Sequence, residues 1–575
     1  MNSRVELHGE LGGVLREFKR TFWVLAAFSA TINVLMLTPS VYMLQVYDRV
    51  LVSRNVSTLL MLSVMVCGLY MLMSFMELAR SIILIRVGNQ LDMALNQRIF
   101  NAAFERSLRR AGGNPAQALQ DLTQVRQFLT GNGLFAFFDA PWTPIYLLAT
   151  FLIHPILGLM TLAGSIILFG LTWLTEYATS GPLAEANKAA IASGAYANNN
   201  LRNAEVIEAM GMLPIIRERW FEGHRRILEQ QTLASDSAAR ISGVTRFVRI
   251  ALQSLSLGVG ALLAIENKIS PGMMIACSIL IGRALGPVEL AIGSWRQWLG
   301  CRAAWGRLDI LLREFPPQLP RMPLPKPKGA ICLEAVSVAA PGGGQAVLRG
   351  ISFSLPVGEM LGVIGPSGAG KSTLARLLVG VLTAQQGKVR LDGVDVAQWP
   401  REELGAWIGY LPQDVELFEG TVAENIARFN PVDSDAVIAA ATMAGVHELI
   451  LRLPLGYETL LNADGSPLSG GQKQRIGLAR AIYGESSLIV LDEPNANLDD
   501  AGEGALLQAL KALKHARRTV VLISHRPAVL GVVDQVLVLA DGGIKMFGPR
   551  DEVFNALRQA NVIAAAGSAV ALVRE

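Results

Sequence analysis

Charge is what this sequence has least of. Only 17% of its 575 residues are Asp, Glu, Lys or Arg, against about a quarter in soluble domains, which excludes a chain that is soluble throughout. The basic residues are scattered rather than gathered and the formal net charge is only +4, so no patch is offered to nucleic acid. Cysteine is scarcer: Cys67, Cys277, Cys301 and Cys332 have no metal-type spacing and are expected to be unpaired thiols. A cleavage site is also lacking. Arg4, Arg16, Lys19 and Arg20 precede the first apolar run as in a signal peptide, but the run is too long and has no small-residue cleavage motif, so it is expected to stay as a helix.

What the sequence has in excess is apolar length. Hydrophobic residues make up 51% and concentrate before residue 295 in six runs, 21–47, 57–78, 134–153, 156–175, 247–265 and 272–293. Each is near the roughly 20 residues that cross a bilayer core. The second and third runs are separated by a polar stretch holding Arg80, Arg86, Arg98 and Arg126, and the fourth and fifth by one holding Lys188, Arg202, Arg217 and Arg240. The other connections are short and poor in Lys and Arg, which places both long loops and the N-terminus in the cytoplasm. Leu91, Leu95 and Ile99 in one loop, and Val206, Ile207 and Met210 in the other, keep helical spacing. The spans are therefore expected to continue as helices into the cytoplasm. Arg283 and Glu289 are ionisable groups inside the sixth run, where a cavity or a partner is the usual reason.

Six prolines between 316 and 327 mark a stiff linker. Short β-type runs then alternate with amphipathic helices, the pattern of an α/β domain. The expected layout is a cytoplasmic segment 1–20, a membrane domain 21–310, a linker 311–328, an α/β nucleotide-binding domain 329–558 and a tail 559–575 without an assigned role.

Two motifs carry chemistry directly. Gly365-Pro-Ser367-Gly368-Ala-Gly370-Lys371-Ser372-Thr373 follows the apolar run Leu361 to Ile364 and opens a helix-like stretch. This is the strand–loop–helix setting of a phosphate-binding P-loop, where backbone N–H groups and the helix N-terminus converge on phosphate. Lys371 is expected to reach the β- and γ-phosphates and Ser372 to ligate Mg²⁺. The apolar run Leu488 to Leu491 ends in Asp492-Glu493; Asp492 is placed to hold Mg²⁺ through water and Glu493 to polarise the water that attacks the γ-phosphate.

Between those motifs lies Leu468-Ser469-Gly470-Gly471-Gln472, which resembles the signature of the ATP-binding-cassette family in sequence and in order. Gln413 in Leu411-Pro-Gln-Asp resembles that family's glutamine loop, Asp499 in Asn497-Leu-Asp its aspartate loop, and His525 after Ile523-Ser524 its switch histidine. The resemblance implies an α-helical membrane domain of six transmembrane helices joined to an α/β P-loop ATPase. It also implies a head-to-tail homodimer in which Ser469, Gly470, Gly471 and Gln472 of one copy meet the ATP held by the other. Glu493, His525 and Lys371 would be catalytic, with Gln413 joining Ser372 and Asp492 around Mg²⁺. One family feature is missing: Val338-Ala339-Ala340-Pro341-Gly342 has no aromatic to stack on adenine, so apolar contact alone is expected to hold the base.

Tyr47-Asp-Arg-Val-Leu51, Phe138-Asp-Ala-Pro-Trp-Thr-Pro-Ile-Tyr146 and Asn203-Ala-Glu-Val-Ile-Glu-Ala-Met-Gly-Met212 resemble type I secretion permease/ATPases, notably the exporters of metalloproteases and repeat-containing proteins. The sequence is not expected to carry a peptidase-like domain before the first span, unlike bacteriocin and haemolysin-type exporters. That resemblance implies an inner-membrane exporter of an unfolded polypeptide bearing a C-terminal signal, working with a periplasmic adaptor and an outer-membrane channel. An exporter or flippase of lipids or small hydrophobic molecules, driven by the same engine, is the second reading, and six spans disfavour a soluble regulator. Pro141 and Pro144 either kink the third helix or sit near its end.

Overall fold

The computed structural model describes residues 9–109, 116–317, 322–339, 346–462 and 468–559. The chain divides into two compact units on either side of Pro317 and Gln318.

The first unit is helical. Five described helices are long and apolar enough to cross a membrane: Lys19–Ser53, Val56–Arg109, Gly133–Ile153, Pro155–Leu201 and Leu213–Ile265. The sixth expected run opens the helix Pro271–Glu314, whose apolar stretch Pro271–Pro287 is shorter. Arg283, Pro287 and Glu289 interrupt it in the sequence. Arg283 is exposed, with Nη1 3.9 Å from the Met36 sulfur, and the Glu289 side chain lies outside the described residues. At 1.5 Å per residue, the 54 residues of Val56–Arg109 reach about 80 Å, well over twice the ~30 Å hydrocarbon core. Helices that outrun the bilayer this far continue into water, as the periodicity of the polar stretches predicts. The last helix also carries the unit past residue 310, so the irregular linker begins only after Glu314.

Two runs that read as unbroken are interrupted. The first breaks at Met36–Leu37, restarts at Thr38 with Pro39 in its first turn, and passes through a π-helical turn, Val46–Val50. That turn holds Asp48 against the start of Pro271–Glu314: Asp48 Oδ1 accepts from Gly272 N at 2.8 Å, and Ser270 Oγ donates to Oδ2. A negative charge is thereby placed on a helix N-terminus. Residue 272 must be glycine for this approach, since a Cβ there would lie 2.6 Å from Asp48 Oδ1. The third run is divided by the 3₁₀ turn Ala140–Trp142 between Asn132–Asp139 and Thr143–Ile153. Pro141 and Pro144 each remove a helical N–H there.

The break at Ala140 leaves Asp139 inside the unit, beside Arg80. Both are buried, and Arg80 Nη1 donates to Asp139 Oδ1 at 3.1 Å and to Ser29 Oγ at 2.9 Å. Asn33 Nδ2 donates to the same Oδ1 at 3.0 Å, and the Tyr146 hydroxyl reaches Asn33 at 2.9 Å. The Arg80 guanidinium also lies 4.2 Å from the Phe135 ring centre, within cation–π range. A charge that marks a polar loop in the sequence is thus the centre of a buried network tying the first three long apolar helices together. Farther along, Arg307 grips Asp121 with two hydrogen bonds of 2.9 and 2.7 Å. Arg98 joins Glu10 of the N-terminal helix to the carbonyls of Leu312 and Phe315.

The second unit is α/β. Its six-stranded sheet runs Gly543–Pro549, Gln535–Ala540, Met360–Ile364, Thr519–Ile523, Leu488–Asp492, Ile408–Leu411, with the last five strands parallel. Its two faces bury different side chains: Met360, Leu491 and Leu522 on one, Leu361, Val363 and Val521 on the other. Burial on both faces is why these strands read as continuous apolar runs. A four-stranded antiparallel sheet, Ala346–Leu355, Ile331–Ala339, Gln386–Leu391, Val394–Asp395, packs in the second of those cores.

Arg80→Ala leaves Asp139 buried without its charge partner and is expected to cost about 3–5 kcal/mol, whereas Arg80→Met with Asp139→Leu removes both charges and should cost far less. Thermal unfolding of the purified protein checks this; a double variant less stable than the single one would contradict it.

Candidate active site

Parallel strands all point their carboxyl ends to one edge, and ligands of open α/β sheets bind beyond that edge. Four segments leave it here. Gly365 follows Ile364, Gln413 lies two residues past Leu411, Glu493 follows Asp492, and Ser524 and His525 follow Ile523. Residues scattered over 160 positions of sequence are thereby brought to one edge, and Ile523 and Asp492 are paired in register.

The loop Gly365–Gly370 leads into the helix Lys371–Leu378. Gly370 has φ +96°, and a Cβ there would meet Leu348 Cδ2 at 2.6 Å, so only glycine turns the chain into the helix at this point. Lys371 is buried and folds back over the loop, donating to the carbonyls of Gly365 at 2.8 Å and Pro366 at 2.9 Å. Ser367, Gly368, Ser372 and Thr373 complete the loop and the first turn.

Asp492 is only 2% exposed, and its Oδ1 has no hydrogen-bond partner. Burial pushes its carboxyl up; a hydrogen bond from Ser372 pulls it down, and the Glu493 charge adds to the rise. A buried carboxylate with an orphan oxygen beside a hydroxyl is a hard-oxygen pair, which suits Mg²⁺ with its remaining positions left to phosphate and water.

Glu493 sits at φ +49°, a left-handed conformation unusual for a side chain of this kind. Its N–H is held by the Ile523 carbonyl at 2.9 Å, and its own carbonyl accepts from Gln474 Nε2 at 3.3 Å. The strained backbone aims the carboxylate outward: Oε2 accepts from Gln413 Nε2 at 3.2 Å, and Oε1 lies 3.9 Å from His525 Nε2. Gln413, Glu493 and His525 are therefore one cluster. Ser524, buried behind His525, is tied to Asn495 at 2.9 Å, which fixes the turn that presents the histidine.

Ser469 begins the helix Gly470–Ile482 with a capping box, in which Ser469 Oγ accepts from Gln472 N at 3.3 Å and Gln472 Oε1 from Ser469 N at 2.9 Å. Gly471 lies against the Asn497 carbonyl, which a Cβ would approach to 2.6 Å. Among the described residues the Ser469 and Gln472 side chains each accept from the other residue's backbone N–H and not from the P-loop. Asp499 is likewise used locally, capping the helix Asp500–His515 by accepting from Gly502 N at 2.9 Å. Of the stretch expected to face adenine, Val338 and Ala339 end a strand, and residues 340–342 lie outside the described ones.

Two residues that sequence reasoning passed over hold this arrangement. Gln474 is buried and couples the Ser469 helix to Glu493; a glutamine on the buried face of a helix is the signal that could have found it. Among the described residues Arg428 has no carboxylate partner. Its guanidinium donates to the carbonyls of Gly405, Ile408, Arg480, Ala481 and Tyr483 and to Ser486 Oγ, all at 2.9–3.1 Å. It fastens the end of the Ser469 helix to the strand that leads to Gln413. Burial, with Arg480 nearby, pulls this guanidinium down to about 10, still charged at neutral pH.

Comparison with known proteins agrees with this geometry. Residues 348–496 match the model of the ABC transporter family, and residues 22–288 that of the ABC transporter transmembrane region. The type I secretion system ATP-binding protein PrsD of Rhizobium meliloti (strain 1021) is 43% identical over 94% of this chain and 93% of its own. The cyclolysin secretion/processing ATP-binding protein CyaB of Bordetella pertussis is 28% identical, over 91% of this chain and 74% of its own. A solved structure of a bacterial Atm1-family ABC exporter with ATP bound superposes with a TM-score of 0.78 at 22% identity, covering 94% of this chain and 96% of that one; it shares the fold.

Replacing Arg428 by alanine strands a group of carbonyls with no donor and is expected to destabilise the second unit by about 3 kcal/mol or more. Arg428→Lys, with fewer and unforked donors, should recover only part. Calorimetric unfolding of the full chain measures both, and a loss below about 1 kcal/mol for the alanine variant would contradict the fastening role.

Proposed function

The chain belongs to the ABC transporter family and, within it, to the type I secretion ATP-binding proteins, and from that premise we propose how its residues divide the work of ATP-driven protein export. It is a multi-pass membrane protein and an ATPase. The observation that carries the assignment of roles is the cluster Gln413–Glu493–His525 at the same sheet edge as Lys371, Ser372 and Asp492.

A bound triphosphate offers Lys371 better acceptors than the Gly365 and Pro366 carbonyls, and the ammonium turns to the β- and γ-phosphates. Backbone N–H groups from Gly365 to Thr373 and the positive end of the following helix carry the rest of the phosphate charge. Ser372 and Asp492, with Gln413 from the neighbouring strand, would hold Mg²⁺, which neutralises charge on the phosphates. Glu493 polarises the attacking water, Gln413 orients that carboxylate, and His525 contacts the γ-phosphate.

The second half of each site comes from a second copy. Ser469, Gly470, Gly471 and Gln472 form a helix N-terminus suited to phosphate, and Asp499 stands on the neighbouring loop. A homodimer with two equivalent sites uses all of them. The N-terminus, both long basic stretches and residues 329–558 face the cytoplasm across a bacterial inner membrane. The cargo is an unfolded polypeptide with a C-terminal signal, handed to a periplasmic adaptor and an outer-membrane channel. The relatives' names, a type I secretion protein and a cyclolysin secretion protein, support this reading.

Glu493→Gln keeps a hydrogen-bonding side chain but removes the base, and is expected to lower the ATPase rate of the lipid-reconstituted protein by about 10²–10⁴-fold while nucleotide binding persists. Titration with a C-terminal peptide of a glycine/aspartate-repeat protein should modulate the wild-type rate saturably. Response to lipids or drugs alone would replace protein export by a flippase.

A further inference from the structure

The N-terminal helix Glu10–Glu17 and the helix Lys19–Leu35 meet at a bend on Phe18. Their inner side is packed: Leu11 and Leu25 are fully buried. The outer side forms an open groove of about 460 Å³ lined by Leu15, Arg16, Lys19, Phe22, Trp23 and Ala26. Lys19, Phe22, Trp23 and Ala26 follow one another at helical spacing and form a stripe down the second helix, with Leu15 and Arg16 adjoining it across the bend.

That stripe changes character along its length. Arg16 and Lys19 stand at its start, with Arg20 beside them, all three exposed and none ion-paired among the described residues. Phe22, Trp23 and Ala26 continue it into the apolar helix that crosses the membrane from Lys19. Phe22 is stacked on Phe138 with ring centres 6.4 Å apart, which gives the groove one fixed wall, whereas Trp23 is 69% exposed. Glu17, the acidic residue at the bend, does not line the groove. Cations at the start of an apolar helix long enough to cross a membrane, followed by an apolar trough along it, match an amphiphile with an anionic head and a hydrocarbon tail. They do not match a soluble anion, for which the trough has no use.

We propose that this groove is a binding site for one anionic glycerophospholipid, its phosphate between Arg16 and Lys19 and an acyl chain along Phe22, Trp23 and Ala26. Lys and Arg near a membrane surface each favour anionic lipid, and an indole at this depth is the usual interfacial anchor. The lipid would brace the bend at Phe18. The site rests on the first helix crossing the bilayer from Lys19, but not on the cargo or on the ATPase roles given above.

Trp23 supplies the readout. The full-length protein is reconstituted in phosphatidylcholine with a fixed minor fraction of brominated phosphatidylglycerol or, separately, brominated phosphatidylcholine. Quenching specific to Trp23 is the wild-type signal minus that of Trp23→Phe. The phosphatidylglycerol lipid is expected to associate about 25-fold more strongly, and Arg16→Gln with Lys19→Gln to lose about fivefold per charge removed until the two lipids quench alike. Quenching by brominated phosphatidylcholine reports membrane placement by itself and should persist in the double variant. Equal quenching by both lipids in the wild type, or a preference surviving in the double variant, overturns the site. Quenching of Trp23 by neither lipid overturns the membrane placement beneath it.

Discussion

The in-register parallel pairing of Leu488–Asp492 with Thr519–Ile523, and of that strand with Met360–Ile364, fixes where the chemistry can be. Each strand ends within a residue or two of its neighbours, so the P-loop, the Asp492-Glu493 pair and the Ser524-His525 turn emerge as one row. A one-residue slip would send Asp492 and Glu493 to opposite faces of the sheet from where they now stand. Continuous apolar side chains on both faces resist that slip, because every alternative register leaves part of a large core mismatched. The hydrophobic core of this unit is in that sense the positioning device of its active site.

The membrane unit is organised by a different physics, in which a few buried polar groups join helices that are distant in sequence. Arg80 and Asp139, Arg307 and Asp121, and Asp48 at the start of Pro271–Glu314 all link separate helices. Apolar side chains gain little by preferring a neighbouring helix over lipid tails. Within the bilayer, hydrogen bonds and ion pairs such as those of Arg80 and Asp139 therefore carry much of the specificity that packing supplies in water. The interruptions serve these contacts: the 3₁₀ turn after Asp139 and the π turn around Asp48 lie beside the charged residue that makes the cross-helix bond.

How much of this could be read from the sequence depended on how local each signal was. The P-loop and Asp492-Glu493 were legible because strand, turn and helix are contiguous there. Gln413 and His525 were legible only through resemblance, since nothing between them in sequence shows that both meet Glu493. Arg428 and Gln474 were not legible at all, because the carbonyls that bind Arg428 are contributed by residues 405 to 483 and become neighbours only on folding. The partner of Arg80 was not legible for a related reason. Hydropathy counts an arginine after an apolar run as exposed, but Asp139, 59 residues away, lets it stay buried. Most helices were legible as apolar runs, whereas their breaks were not: the first run is equally apolar on both sides of Met36, and only Pro39 hints at the interruption.

Glu493 occupies a backbone conformation that costs a residue of its type on the order of 1–2 kcal/mol, and that asparagine or glycine would adopt at less expense. With Glu493 as the base proposed above, selection for heat resistance and selection for turnover pull in opposite directions at this one position. A library of variants sorted only by melting temperature would enrich for chains that have lost the carboxylate, and a collection of related sequences relieved of the need to hydrolyse ATP should drift there first.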